Sequence, residues 1–137
     1  ALLRNRSIRL GLISNAQFFT PLLFEAFFGA PSEALGFDPG LRIYSFERGE
    51  AKPSPNLFTP AARRLESLGL KPENALYVGN DMLNDVFAAA QAGFKTALFA
   101  GDRRSLRLRE GDCRVGGIMP DRVIRNLKDI PDLIVMR

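Results

Sequence analysis

Short apolar runs and longer segments with helical spacing take turns along this chain, and turn-forming residues fall between them at regular intervals. Leu10 to Ile13 is the first apolar run and ends at Ser14-Asn15. Thr20-Pro21 then supplies an N-cap and a first helical position ahead of Leu22, Leu23, Phe24, Phe27 and Phe28. A second run, Arg42 to Phe46, leads into the polar turn Glu47 to Ser54. Helical spacing follows from Pro55 to Leu68 and is closed by Gly69. Pro60 leaves two alternatives there, because a proline deep inside a helix removes a backbone hydrogen bond. Either one helix runs through, or the helix starts at Thr59-Pro60 and residues 54–58 form a separate turn.

The third run, Ala75 to Val78, meets Gly79-Asn80-Asp81, and Leu83 to Ala92 predicts an alanine-rich helix stopped by Gly93. Thr96 to Phe99 is the fourth strand. Beyond it come an arginine-rich connection, a short edge strand near Cys113 to Ile118, and a helix opened by Pro120 and Asp121 that carries Val123, Ile124 and Leu127. The order βαβαβαβ predicts an α/β fold with a parallel sheet. In such sheets ligands bind outside the carboxyl ends of the strands. That edge collects Ser14-Asn15, the Glu47 to Lys52 turn and Asn80-Asp81.

Composition narrows the chemistry. With 137 residues, 46% hydrophobic and 25% charged, the chain is long enough for one buried core, and a single domain is expected. It has one cysteine, Cys113, and no histidine, which excludes an internal disulfide, a multi-thiolate metal site and His-based activation. Catalysis is left to carboxylates, hydroxyls, lysine or a hard cation. No apolar stretch reaches the length of a membrane span, and the opening Ala1-Leu2-Leu3-Arg4 lacks the order of a leader, so no membrane association and a cytoplasmic location are expected. The net charge of +4 owes much to Arg4, Arg6 and Arg9 and to Arg103, Arg104, Arg107 and Arg109. No aromatic residues interleave with the second cluster, so a solvated face is expected in place of a nucleic-acid surface.

Asp81 and Asp85 lie four residues apart at a strand end and a first helical turn. That spacing suits a shared magnesium ion, and it equally suits a helix-capping Asp81 beside a solvated Asp85. Lys52 sits in Gly49-Glu-Ala-Lys52-Pro53-Ser-Pro55, where the prolines stiffen the turn and either aim the ammonium at a phosphoryl group or leave it solvated. Ser14 and Asn15 offer a hydroxyl, an amide and backbone donors to phosphate oxygens, and are also common turn formers. A hydroxyl, a lysine and a carboxylate pair at successive strand ends are harder to obtain from turn chemistry alone.

Three segments resemble motifs of the haloacid dehalogenase superfamily. Leu10-Gly-Leu-Ile-Ser14-Asn15 is similar to its second motif, Ser45-Phe-Glu47-Arg-Gly49-Glu-Ala-Lys52-Pro53-Ser-Pro55-Asn-Leu-Phe58 to its third, and Tyr77-Val-Gly79-Asn-Asp81-Met-Leu-Asn84-Asp85 through Gly93 to its fourth. The resemblance covers Leu2 to Gly101 and weakens toward Ile134. It implies a Rossmann-like three-layer αβα core with a mainly parallel sheet. It implies that Ser14 and Asn15 contact the transferring phosphoryl group, that Lys52 neutralises charge, and that Asp81 and Asp85 serve magnesium. Many members carry Asp directly after the motif glycine, where this chain has Asn80; related phosphatases and mutases place a metal ligand at the second position, so the resemblance favours Asp81, with the assignment open between Asn80 and Asp81.

The family's first motif, an apolar strand followed by Asp-x-Asp, supplies nucleophile and general acid-base, and here no Asp precedes Asp38. In the family that strand lies between the Ser14 strand and the Asn80 strand, so the sheet is expected to be incomplete and the chain inactive alone. An N-terminal piece with that motif and a cap is the expected partner. The implied function is a magnesium-dependent phosphomonoesterase acting on a small phosphorylated metabolite through an aspartyl-phosphate on that piece. A non-catalytic phosphate- or partner-binding member, and a mutase or dehalogenase of the same superfamily, are the alternatives.

Overall fold

The structure, a computed structural model, describes residues 3–134, so the opening Ala1-Leu2 lies outside the described residues. Strand β1 (Leu10–Ser14) is followed by helix α1 (Thr20–Phe28) and strand β2 (Phe37–Tyr44). A short helical turn, α2 (Ser45–Arg48), and a 3-10 turn (Pro55–Phe58) lead into α3 (Thr59–Ser67). Then come β3 (Leu76–Gly79), a π-helical segment (Met82–Phe87) continuing into α4 (Ala88–Gln91), β4 (Lys95–Phe99), β5 (Arg122–Ile124) and α5 (Ile130–Leu133). Pro60 decides between the two helix alternatives: α3 begins at Thr59 and the preceding residues form their own turn. A proline at the second helical position has no intrahelical N–H to lose.

Every strand pairing is parallel, as the βα alternation predicts. The strands form two half-sheets, β1-β2 and β3-β4-β5. The free edges of β1 and β3 face each other across a cleft of about 1360 Å³ lined by Leu10, Leu12, Ile13, Leu76 and Val78 among others. Under this cleft runs a continuous apolar core, in which Ile13 and Ile43 of one half-sheet meet Leu57, Phe58, Ala61, Leu65, Ala88, Ala89 and Phe94. The arrangement is the Rossmann-like α/β fold with an incomplete sheet.

Phe58 is fully buried and packs edge-on against Tyr77 and Phe94, with ring centroids 5.0 and 5.6 Å away. It therefore joins the α3 layer to β3. Phe58→Ala is expected to destabilise the fold by about 3–5 kcal/mol, read as a lower urea midpoint at unchanged slope.

Several sequence expectations change in the structure. Strand β2 starts earlier and ends at Tyr44, so Ser45 and Phe46 open a helical turn. The edge strand expected near Cys113 to Ile118 is absent, and the helix expected from Pro120 is a strand over 122–124. The cause is local: the Asp121 carboxylate accepts hydrogen bonds from the Thr96 N–H (2.8 Å) and hydroxyl (3.1 Å), which lays Val123 and Ile124 along β4. Two β-branched residues favour that pairing. Helix α1 buries none of its residues, leaving Leu22, Phe27 and Phe28 exposed, while the half-buried Phe24 packs edge-on against Phe37. Among the described residues no helix is long and apolar enough to cross a membrane.

Candidate active site at the strand ends

The carboxyl ends of β1 and β3 and the turn after α2 bring the predicted site residues together. Asn15 brackets the backbone of Lys52: the Lys52 N–H donates to Asn15 Oδ1 at 2.7 Å, and Asn15 Nδ2 donates to the Lys52 carbonyl at 3.1 Å. Asn15 thus fixes the turn that carries the lysine. Lys52 Nζ donates to Asp85 Oδ1 at 2.5 Å and to the Tyr77 hydroxyl at 2.9 Å. Its side chain is 11% exposed and that of Asp85 6%, so the pair is almost fully desolvated. A buried pair of this kind is a positioned charge more than a source of stability.

Asp85 reaches this position because the backbone after β3 is unusual. The N–H groups of Asp85 and Val86 both donate to the Asp81 carbonyl, and the second of these is an i+5 bond that widens the first turn into a π-helix. The carboxylate then folds back under the turn, where Oδ2 accepts from the Asn80 and Asp81 N–H groups at 3.0 Å each. Gly79 makes room for it, since a Cβ there would lie 2.3 Å from Asp85 Cγ. The Tyr77 hydroxyl completes the network by donating to the Ile13 carbonyl of β1 at 2.8 Å, across the gap between the half-sheets. Burial, then the neighbouring Asp85 charge, push its pKa well above the ordinary phenol value, so the proton stays on the oxygen.

Asp81 occupies a different environment. Its Oδ1 accepts from the Leu83 and Asn84 N–H groups at 2.9 and 3.0 Å, which makes it the helix N-cap, and Asn84 Nδ2 donates to Oδ2 at 3.2 Å. Arg109 forks onto the same carboxylate, Nε at 3.1 Å from both oxygens and Nη2 2.5 Å from Oδ2. Burial alone would raise the Asp81 pKa, but Arg109 and the two capping N–H groups outweigh it and hold the carboxyl below its usual range. Asn80 Nδ2 donates to the Ser105 carbonyl at 2.6 Å, and its side-chain oxygen has no partner among the described residues. Ser14, half-buried at the end of β1, also keeps its hydroxyl free of partners among the described residues.

These donors bear directly on a cation. Magnesium asks for about six oxygen ligands, several of them water. Both carboxylates are already engaged, Asp81 by the N–H groups it caps and by Arg109, and Asp85 by Lys52 and the turn N–H groups. Among the described residues no cluster of three or more acidic or thiol groups is placed to hold a metal. The Asn80 oxygen is the donor these residues leave uncommitted, so they do not complete a magnesium site by themselves.

Residues 50–130 match the model of the HAD-hydrolase-like family, more than half of the chain. This chain belongs to the HAD-hydrolase-like family. It is 37% identical over 95 residues to a glyceraldehyde 3-phosphate phosphatase of Methanopyrus kandleri, an alignment covering 69% of this chain and 33% of that protein. Over 50 residues it is 54% identical to a phosphoglycolate phosphatase of Aquifex aeolicus, covering 36% of this chain and 22% of that one. In fold it resembles the magnesium-bound YfnB of Bacillus subtilis with a TM-score of 0.73 at 19% identity, over 98% of this chain and 54% of that one. The chain therefore spans about a third or less of these curated relatives and about half of the solved structure.

In this HAD-hydrolase-like chain the sequence left two residues of the site without a role. Tyr77 reads as an ordinary strand residue, and only its fixed place opposite Ile13 makes it the link between half-sheets. Arg109 reads as part of a solvated cluster. Its left-handed backbone, φ 59°, and its partner become visible only once the segment after β4 is placed beside β3.

Proposed function

We propose that the protein containing this chain is a phosphomonoesterase and that this chain supplies the strand-end groups that bind and neutralise the transferring phosphoryl group. The observation that carries the reading is the buried Lys52–Asp85–Tyr77 network, bound at Ile13 and at the Asn80 N–H, the strand ends that also carry the Ser14 hydroxyl and the Asn80 side-chain oxygen. A lysine held in one position by a carboxylate, next to free polar groups, suits a reaction that depends on positioning and charge neutralisation. The phosphatases among its relatives add to this support.

The nucleophile in this reading is an aspartate outside the 137 residues, on a strand that seats between the unpaired parallel edges of β1 and β3 and belongs to an N-terminal piece that also carries a cap. Its carboxylate oxygen attacks phosphorus, the ester oxygen leaves and takes a proton as the alcohol, and water then releases orthophosphate from the aspartyl-phosphate. Ser14 donates to a phosphoryl oxygen, and Lys52 offsets the charge gathered on the phosphoryl group and the nucleophile. Asn15 acts by holding the Lys52 turn. Magnesium is the cation of this reading, and of the candidates Asn80, Asp81 and Asp85, Asn80 has the free oxygen to offer it. Asn80 would hold it from this chain, and the chemistry it would supply is neutralisation of phosphoryl charge.

The test is hydrolysis of p-nitrophenyl phosphate by the full-length protein with and without magnesium, together with trapping of a hydroxylamine-labile phosphoenzyme. Magnesium-dependent turnover with a trapped acyl-phosphate is the expected result. Phosphate binding without turnover would overturn it in favour of a non-catalytic binding protein.

A further inference from the structure

The arginine-rich segment after β4 takes no part in the chemistry above, yet it is sewn to the turn after β3. The Arg107 N–H donates to the Asn80 carbonyl at 2.9 Å and the Met82 N–H to the Arg107 carbonyl at 2.8 Å, a strand-like pairing on both sides of Asp81. Leu106 packs on the cluster of Met82, Val86 and Leu98. The Ser105 carbonyl can only accept, so the Asn80 NH2 must face it and the Asn80 oxygen must face the other way. The segment thereby sets the direction of the free oxygen at the strand end.

Arg109 is what ties this segment down. Its φ of 59° lies in the left-handed region, which side-chain-bearing residues rarely adopt and keep only when their surroundings impose it. The imposed contact is the fork onto Asp81, whose carboxylate also caps the helix. One carboxylate therefore joins the helix start to the arginine segment. We propose that Arg109 and Asp81 form a positioning clamp that docks residues 105–109 against the turn and fixes the Asn80 amide, with Asp81 as its anchor and not a cation ligand. The metal-binding consequence rests on the phosphohydrolase reading; the clamp itself does not.

The experiment compares Asp81→Asn, Arg109→Gln and the double variant in the full-length protein. Asparagine keeps an N-cap oxygen, so the helix start survives and the fork is what is lost. The readouts are the affinity for manganese(II) alone, followed by electron paramagnetic resonance, and the rate of tryptic cleavage after Arg103, Arg104 and Arg107 without metal. Each single variant is expected to weaken manganese binding about tenfold, as loss of an outer support does, and to speed cleavage about tenfold, with the double variant no worse than either. Arg109→Lys keeps the charge without the fork and is expected to behave like the glutamine variant. A hundredfold loss of manganese affinity in Asp81→Asn beside none in Arg109→Gln would make Asp81 a ligand and overturn the clamp. Additive effects in the double variant, or wild-type behaviour of the lysine variant, would overturn it as well. A wild-type protein that fails to hydrolyse p-nitrophenyl phosphate sinks the phosphatase reading and leaves the metal-free cleavage readout in force as the test of the clamp.

Discussion

Lys52→Ala is expected to lower turnover of p-nitrophenyl phosphate by about a thousandfold, the scale seen when one preorganised charge or donor is removed from a site excluded from water. The side chain is held by two acceptors, Asp85 at 2.5 Å and Tyr77 at 2.9 Å, and its backbone by Asn15, so the ammonium does not have to be oriented during the reaction. Removing it also leaves the buried Asp85 without its counter-charge, so stability falls together with rate, although Asp85 keeps the two turn N–H groups on Oδ2. Lys52→Arg separates the two roles. Guanidinium retains the charge but spreads it over a planar fork that cannot take the place of one compact ammonium between Asp85 and Tyr77. It is expected to recover thermal stability and not rate, checked by a melting curve beside the kinetic assay. Wild-type turnover in Lys52→Ala would remove Lys52 from the chemistry.

Much of this arrangement was legible in the sequence because its signals are local. Strand ends marked by Ser14-Asn15 and Gly79-Asn80-Asp81 follow from apolar runs that stop at turn residues, and their convergence follows from parallel pairing. What was not legible depends on groups brought together from far apart. Residues 122–124 form a strand because the Asp121 carboxylate, 25 positions from Thr96, binds that residue's N–H and hydroxyl, and no local periodicity encodes this. The carboxylate pair four residues apart looks alike from sequence, yet the π-turn sends Asp85 under the backbone to Lys52 while Asp81 stays at the helix start with Arg109. Two acids expected to share a cation are thus tied to two different cationic side chains.

That division makes Asp85 the residue whose loss should be felt most widely. Asp85→Ala strips Lys52 of its counter-charge and leaves the Asn80 and Asp81 N–H groups without an acceptor. A buried ion pair broken on one side costs about 3–5 kcal/mol, so the variant is expected to unfold at markedly lower urea and to lose turnover at least as completely as Lys52→Ala. Gly79→Ala tests the same geometry without touching a charge. The added methyl would lie 2.3 Å from Asp85 Cγ and 2.4 Å from its Oδ2, closer than atoms can approach, so the carboxylate must leave the turn. Both variants are expected to share one phenotype: destabilised, with turnover lost in the fraction that remains folded. Unchanged stability and turnover in Gly79→Ala would mean that Asp85 does not need its place beneath the turn, and the network of Lys52, Tyr77 and Asp85 would lose its claim to organise the site.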